Sequence, residues 1–99
     1  MKKYINGKYV DLTFGVSGAT YTAPANGWYA ARKITSASGG YLDARLNTGL
    51  TIASQASSSN WGVAVYLPVK RGDIMTLYYA NITTIDTSYF RFIYAEGEL

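Results

Sequence analysis

Apolar and polar residues alternate along most of this chain, and no segment sustains the 3.6-residue period of a helix. Residues 41–46 illustrate the pattern. Leu42, Ala44 and Leu46 would share one face of an extended strand, while the residues between them share the other. Clusters of Gly, Pro, Asn and Ser interrupt the alternation at regular spacing. The sequence therefore predicts an all-β fold of short antiparallel strands, either a sandwich or a barrel.

The expected strands have turn-forming residues on both sides. They cover residues 19–22, 27–35, 41–46, 50–54, 63–67, 74–79 and 89–94. Pro68 should end the fifth strand, because proline has no N–H to give to a β-ladder. Gly72 and Asp73 should form a tight turn before the sixth strand. In that strand Met75 and Leu77 are expected on the inner face.

A chain of 99 residues is expected to form one domain, residues 1–99. The Asn6–Gly7 pair predicts a hairpin within residues 1–14, because both positions of such a turn need positive φ. The other strands would build a core over residues 19–94. The chain has no cysteine for disulfides, and 15% charged residues is sparse for a monomer. Both features favour oligomerisation.

The chain also contains no histidine. Without histidine the chain lacks the commonest general base, and without cysteine it lacks the most reactive nucleophile. These two residues are also the commonest ligands of transition metals. The acidic residues suggest neither a glycosidase pair nor a calcium site, since Asp43 should pair with Arg45 and Asp73 should serve its turn. We expect a non-enzymatic protein without a metal or other cofactor.

Charge and hydropathy limit the partners. Nine basic and six acidic residues give a net charge of +3, but the basic residues are scattered, so nucleic-acid binding is not expected. The apolar runs are too short for membrane insertion. The first residues lack the apolar centre of a signal peptide, so we expect synthesis in a bacterial cytoplasm without export.

Three segments together carry a family resemblance. Residues 21–29 contain a short strand, then a proline, then a glycine followed by aromatic residues. Residues 67–77 contain two apolar strands joined by a turn with basic residues and a Gly–Asp pair. Residues 89–94 follow with alternating aromatics. In this order they resemble the jelly roll of the tumour-necrosis-factor and complement-globular-head superfamily, and within it the small tips of phage tail fibres and baseplates. Residues 4–13 are similar to the opening of small tail-associated phage proteins.

The resemblance implies both a fold and a function. The fold would be an antiparallel jelly-roll β-sandwich of about 8–10 strands that assembles as a homotrimer. The function would be that of a receptor-binding tip, located in the virion and directed at a host-surface saccharide through several weak sites. The alternative is a structural baseplate or decoration protein that binds only other phage proteins. A signalling ligand of the same fold is a third interpretation.

Candidate ligand-binding residues lie in or beside the expected loops. Aromatic rings can stack on sugars, and amides and hydroxyls can bond to them. These candidates are Tyr41, Asn47, Thr48, Asn60 and Trp61. Trp61 could instead fill one end of the sandwich, since large aromatics are mostly buried. Trp28 is expected to pack in the core, in phase with Ala30 and Ile34.

Candidate interface residues are aromatic or basic and point outward. Tyr66, Tyr78 and Tyr89 fall out of phase with the apolar faces of their strands, and Arg91 shares the face of Tyr89. Several outward aromatics indicate a covered surface, which the resemblance implies is the trimer contact. A ligand surface and ordinary solvent exposure are the alternatives.

Overall fold

A computed structural model describes residues 8–83, 88–95 and 97. These residues form nine strands. They are β1 (Tyr9–Asp11), β2 (Ala19–Thr22), β3 (Gly27–Thr35), β4 (Tyr41–Leu46), β5 (Thr51–Gln55), β6 (Gly62–Val69), β7 (Ile74–Ala80), β8 (Ile82–Thr83) and β9 (Tyr89–Tyr94). These residues contain no helix, and hence none that could cross a membrane. The all-β prediction is confirmed.

The strands form two antiparallel sheets packed face to face. Sheet A has the order β1-β9-β3-β6, with β8 also paired to β3, and sheet B has the order β2-β7-β4-β5. Most consecutive strands therefore belong to different sheets, and the chain crosses between them at the ends. Apart from the two-residue β8, each sheet has four strands, and their order matches that of a jelly roll. The predicted antiparallel β-sandwich of about 8–10 strands is confirmed, with nine strands in the described residues.

The core lies between the inner faces of the two sheets. Sheet A contributes Leu67 and Phe92, and sheet B contributes Leu42, Met75 and Leu77, all at most 2% exposed. The period-2 patterns of β4, β7 and β9 predicted this correctly, because alternate residues of a strand point to opposite faces.

Aromatic rings fill much of this core. The Phe92 ring packs edge-to-face on Tyr29 and on Tyr94, with centroid distances of 5.1 and 5.0 Å. The rings of Tyr21 and Phe90 make a similar contact at 4.9 Å across the two sheets. Such pairs add about 0.5–1.5 kcal/mol each beyond the area that they bury.

The orientation of β3 differs from the prediction. Trp28 lies on the outer face and is 39% exposed, whereas Tyr29, Ala31 and Lys33 point into the sandwich. The Lys33 ammonium lies 4.1 Å from the centre of the Phe14 ring, and burial lowers its pKa. Both alternations of β3 are largely apolar, so the pattern did not distinguish them. Lysine is rarely buried, so the sequence offered no reason to place Lys33 on the inner face.

Two predicted boundaries also change. β6 continues through Pro68 to Val69, because β6 is an edge strand where a missing N–H breaks no ladder bond. At the N-terminal side, the predicted turn at Asn6–Gly7 lies outside the described residues. Tyr9–Asp11 pairs with β9, so the jelly roll begins before residue 19.

The connections lie at two ends of the sandwich. At the first end, loops 36–40 and 56–61 meet, as in the bond from Gly39 N to Ala56 O. At the second end, loops 23–26, 47–50 and 70–73 meet, as in the bond from Gly72 N to Ala23 O. At Gly72 φ is 89°, and Asp73 Oδ2 accepts a hydrogen bond from Lys70 N. This is the turn that the sequence predicted.

Candidate functional site

The predicted ligand residues do not form one cluster. Tyr41, Asn60 and Trp61 lie at the first end of the sandwich, while Asn47 and Thr48 lie at the second end. Tyr41 begins β4 and Asn47 follows its last residue, so about 20 Å of extended chain separates them. One small ligand cannot contact both groups. The separation arises because a strand carries its two flanking loops to opposite ends of the sandwich.

Asn47 has a local structural role. Its Oδ1 accepts a hydrogen bond from Ile74 N at 3.1 Å, and its own N–H donates to Ile74 O at 2.9 Å. These two bonds tie the β4–β5 turn to the start of β7. Thr48 beside it lines a depression of about 480 Å³ together with Pro68 and Lys70.

Asn60 and Trp61 are held by Thr35, which the sequence interpretation missed. Thr35 is fully buried, and its Oγ1 donates to Ser58 O at 2.6 Å and accepts from Trp61 N at 3.0 Å. Asn60 adopts a φ of 63°, which asparagine tolerates better than most residues. Trp61 is 63% exposed, so it does not fill the end of the sandwich.

Tyr41 lines a shallow groove on the outer face of sheet B. One part, about 460 Å³, is bounded by Tyr41, Asp43, Ala53, Ser54 and Gln55. The adjoining part, about 470 Å³, is bounded by Ser38, Gly39, Gln55, Ala56 and Ser57. We call these nine residues the sheet B groove. Gln55 belongs to both parts, and its Nε2 donates to Gly39 O at 3.4 Å.

Only Tyr41 of this groove was among the predicted ligand residues. Strand alternation already placed Tyr41 and Asp43 on one face of β4. The antiparallel register then sets Gln55 opposite Tyr41 and Ala53 opposite Asp43. That pairing of β4 with β5 follows from the short turn between them, so a hairpin alignment would have found this part of the groove.

The charges beside the groove balance each other. Asp43 Oδ1 and Oδ2 accept hydrogen bonds from Arg45 Nε at 3.2 Å and Nη2 at 2.9 Å. The carboxylate of Asp43 raises the pKa of Arg45 through these bonds and its charge. The Arg45 guanidinium also lies 4.6 Å from the Tyr78 ring centre. The predicted ion pair therefore exists and is bidentate.

The predicted interface residues divide between the two sheets. Tyr66, Tyr89 and Arg91 lie on the outer face of sheet A, in β6 and β9. Tyr78 lies on the outer face of sheet B, because β7 pairs with β2 and β4. Phase within a strand identified each as outward-facing, but it carried no information about which sheet the strand joins.

The outer face of sheet A is rich in aromatic residues. Trp28 lies between Pro68 and Ile93 on the neighbouring strands, and Tyr66 is 56% exposed. Ala30 is completely buried although it lies on this outer face, between Tyr66 and Arg91. We call this set the aromatic face, and its members are Tyr9, Trp28, Tyr66, Pro68, Tyr89, Arg91 and Ile93.

Arg91 is enclosed by aromatic rings. Its guanidinium carbon lies 4.2 Å from the Tyr9 ring centre and 4.6 Å from that of Tyr89. Its Nε is 3.6 Å from Asp11 Oδ1, and that nitrogen has no hydrogen bond within the part of the chain that is described. The arrangement places a flat cationic group between two aromatic rings on the aromatic face.

The described carboxylates lie far apart in the fold. Asp11 is on the outer face of sheet A, Asp43 on that of sheet B, and Asp73 in the β6–β7 turn. Within residues 8–83, 88–95 and 97, no group of three or more acidic side chains converges in a way that could hold a metal ion.

Comparison with known proteins identifies no family for this chain. No protein-family model matches the chain, and no curated protein shows significant sequence similarity to it.

Proposed function

We propose that this chain is a non-enzymatic receptor-binding tip of a phage or prophage tail, assembled as a homotrimer and directed at a host-surface saccharide. The observation that carries the proposal is the difference between the two outer faces of the jelly roll. One is aromatic and suited to contact with another protein surface, and the other is polar and grooved.

The aromatic face supports assembly. Trp28, Tyr66 and Tyr9 are all more than a third exposed and lie on the outer face of sheet A. Tyrosine, tryptophan and arginine are enriched at protein interfaces, because they offer large areas with few rotatable bonds and a polar tip. A second and third copy of the chain would cover this surface.

Sedimentation equilibrium of the purified full chain tests the assembly. We expect a single species of three chains at micromolar concentration. A monomer across that range would remove the homotrimer from the proposal.

The polar face supports saccharide recognition. Three copies on one trimer would engage a repetitive cell-surface polymer at once, so that weak individual sites gain avidity. Binding of the purified chain to a glycan array and to cell-envelope fractions tests this function. The proposal fails if neither is bound at any protein concentration where the chain is assembled.

The non-enzymatic part of the proposal rests on chemistry. The whole sequence lacks histidine and cysteine. Among the described acidic residues, Asp43 is held by Arg45 and Asp73 by its turn, so neither is placed as half of a catalytic pair.

A structural virion protein is the second candidate. Trp61, which is 63% exposed, lies in loop 56–61 at the first end of the sandwich. Val16, which is 76% exposed, lies in loop 12–18, where Ser17 Oγ accepts a hydrogen bond from Tyr79 N. Exposed apolar side chains in loops suit a protein partner as well as a sugar. Specific retention of a purified virion protein, together with no binding to glycans, would favour this role.

A further inference from the structure

We infer that the sheet B groove binds a neutral saccharide, with Tyr41 as the stacking platform and with Asp43 and Gln55 as the hydrogen-bonding groups. This inference rests on the proposed function and assigns it a place and a ligand class. The binding site would then lie on the outer face of sheet B and not at the loop tips that the sequence favoured.

The shape of the groove fits an extended polar ligand. Its two parts, of about 460 and 470 Å³, adjoin at Gln55, and each is within the range of small-ligand sites. The groove follows the edge strand β5 and reaches the loop 36–40, so among the described strands none closes its outer side. A chain of sugar rings could lie along it and continue into solvent at both ends.

The lining offers what a polyhydroxylated molecule needs. Asp43 and the Gly39 carbonyl accept hydrogen bonds, the Gln55 amide both donates and accepts, and hydroxyls of serine do the same. The contact between Gln55 Nε2 and Gly39 O is long at 3.4 Å, so a ligand oxygen can replace either partner at little cost. Ala53 leaves a low floor where a larger side chain would fill the space.

The electrostatics argue for a neutral ligand. Asp43 is the only charged side chain in the lining, and Arg45 holds both of its oxygens. The lining therefore has no cationic side chain for a phosphate, sulfate or sialic acid. Its single carboxylate is also already compensated, which removes much of the attraction for a cation. A carboxylate oxygen has further lone pairs, so Asp43 can still accept from sugar hydroxyls in a charge-assisted bond.

Amide chemical shifts of the isotope-labelled full chain locate the binding site. The probes are maltose, lactose, cellobiose, rhamnose and N-acetylglucosamine as neutral sugars, and glucuronate and N-acetylneuraminate as charged ones. We expect at least one neutral probe to shift the amides of Tyr41, Asp43, Ala53 and Gln55. We expect the charged probes to bind at least tenfold more weakly.

Substitutions then test the groove itself. Ala53→Arg should fill it and weaken binding of the responding sugar at least tenfold, and Tyr41→Ala should do the same while Tyr41→Phe retains most of the affinity. Thr20→Arg is the matched control, because Thr20 lies on the outer face of β2, at the opposite edge of sheet B. It should leave binding unchanged.

The outcomes separate the two proposals. If a sugar binds but shifts amides elsewhere, or if Ala53→Arg binds like the unaltered chain, the groove assignment is wrong and the proposed function stands. If the strongest ligand is a charged sugar, the neutral class is wrong. If no glycan or envelope fraction binds at all, both proposals fail. Occupation of the groove by a virion protein alone would likewise overturn the inference.

Discussion

The two outer faces of this jelly roll differ although the two sheets are built on the same scheme. The aromatic face of sheet A presents Trp28 and Tyr66, and it buries Ala30 completely between its neighbours. The outer face of sheet B carries threonines, the Asp43–Arg45 ion pair and a groove. Water leaves an aromatic surface readily when another surface covers it, whereas polar groups lose their hydration only to a ligand that replaces it. This difference is the reason that we propose assembly through the aromatic face and ligand binding on the outer face of sheet B.

The largest expected effect separates the inner from the outer side of sheet A. Phe92→Ala should lower the free energy of unfolding by about 3–5 kcal/mol, because Phe92 is fully buried among Tyr29 and Tyr94. Tyr89→Ala, on the same strand but outward, should cost less than about 1 kcal/mol in a monomer. Urea denaturation at a concentration where the chain is monomeric gives both values. Equal costs would mean that the outer aromatics already stabilise the single chain and need no partner.

The next effect compares the two outer faces directly. Tyr66→Lys should weaken self-association at least 100-fold, because it removes an aromatic from the aromatic face and puts a charge there. Thr20→Lys places the same side chain on sheet B and should leave association unchanged. Sedimentation velocity over a concentration series measures both. If Thr20→Lys dissociates the assembly and Tyr66→Lys does not, the roles of the faces are reversed.

A third effect concerns the core that the two sheets share. Burial raises the pKa of Tyr29 to about 12, and the charge of Tyr21 adds to this. The unfolded chain loses this proton near its ordinary pKa of about 10, while the native state keeps it, so stability present below pH 10 is lost as the pH rises towards 12. The loss attributable to Tyr29 is about 2–3 kcal/mol. Thermal melts at pH 9–12 should show a steeper fall for the unaltered chain than for Tyr29→Phe, and parallel curves would contradict the burial argument.

The smallest effect concerns loop 56–61, which connects β5 of sheet B to β6 of sheet A. Thr35→Val removes the hydroxyl that bonds to Ser58 O and Trp61 N, so it should cost about 1–2 kcal/mol, while Thr35→Ser keeps the hydroxyl and should cost less. Hydrogen exchange should accelerate in loop 56–61, which borders the groove, and stay unchanged in β1 and β9. Faster exchange in the strands of the aromatic face as well would show that opening of loop 56–61 also destabilises sheet A.

Much of the fold was predictable because strands have a period of two. The bounds of β2, β3, β4 and β9 follow from alternation and turn residues alone. The inner positions of Met75 and Phe92 follow in the same way. The orientation of β3 did not, because Trp28, Ala30 and Ile34 form as apolar a set as the true inner residues. Packing of Phe14 over Lys33 makes the buried position acceptable for the lysine.

The candidate sites were less predictable for a geometric reason. Alternation says that Tyr66, Tyr78 and Tyr89 point outward, but it contains no information about which sheet each strand enters. It also says nothing about which loops meet at one end of the sandwich. The sequence therefore named Asn47 and Trp61 as loop candidates without indicating that they lie at opposite ends.

The sequence by itself determined the class of fold, most strand boundaries and the inward or outward direction of residues in most strands, because these depend on neighbours within a strand and on local turn chemistry. Only the tertiary structure decided which strands pair, and with that the aromatic face, the sheet B groove and the separation of the predicted loop residues. Those features come from hydrogen-bonded registers such as β3 with β9 and β4 with β7, which join residues far apart in the chain. Local periodicity repeats identically along every strand, so it cannot specify a partner. The packing of the two inner faces specifies it.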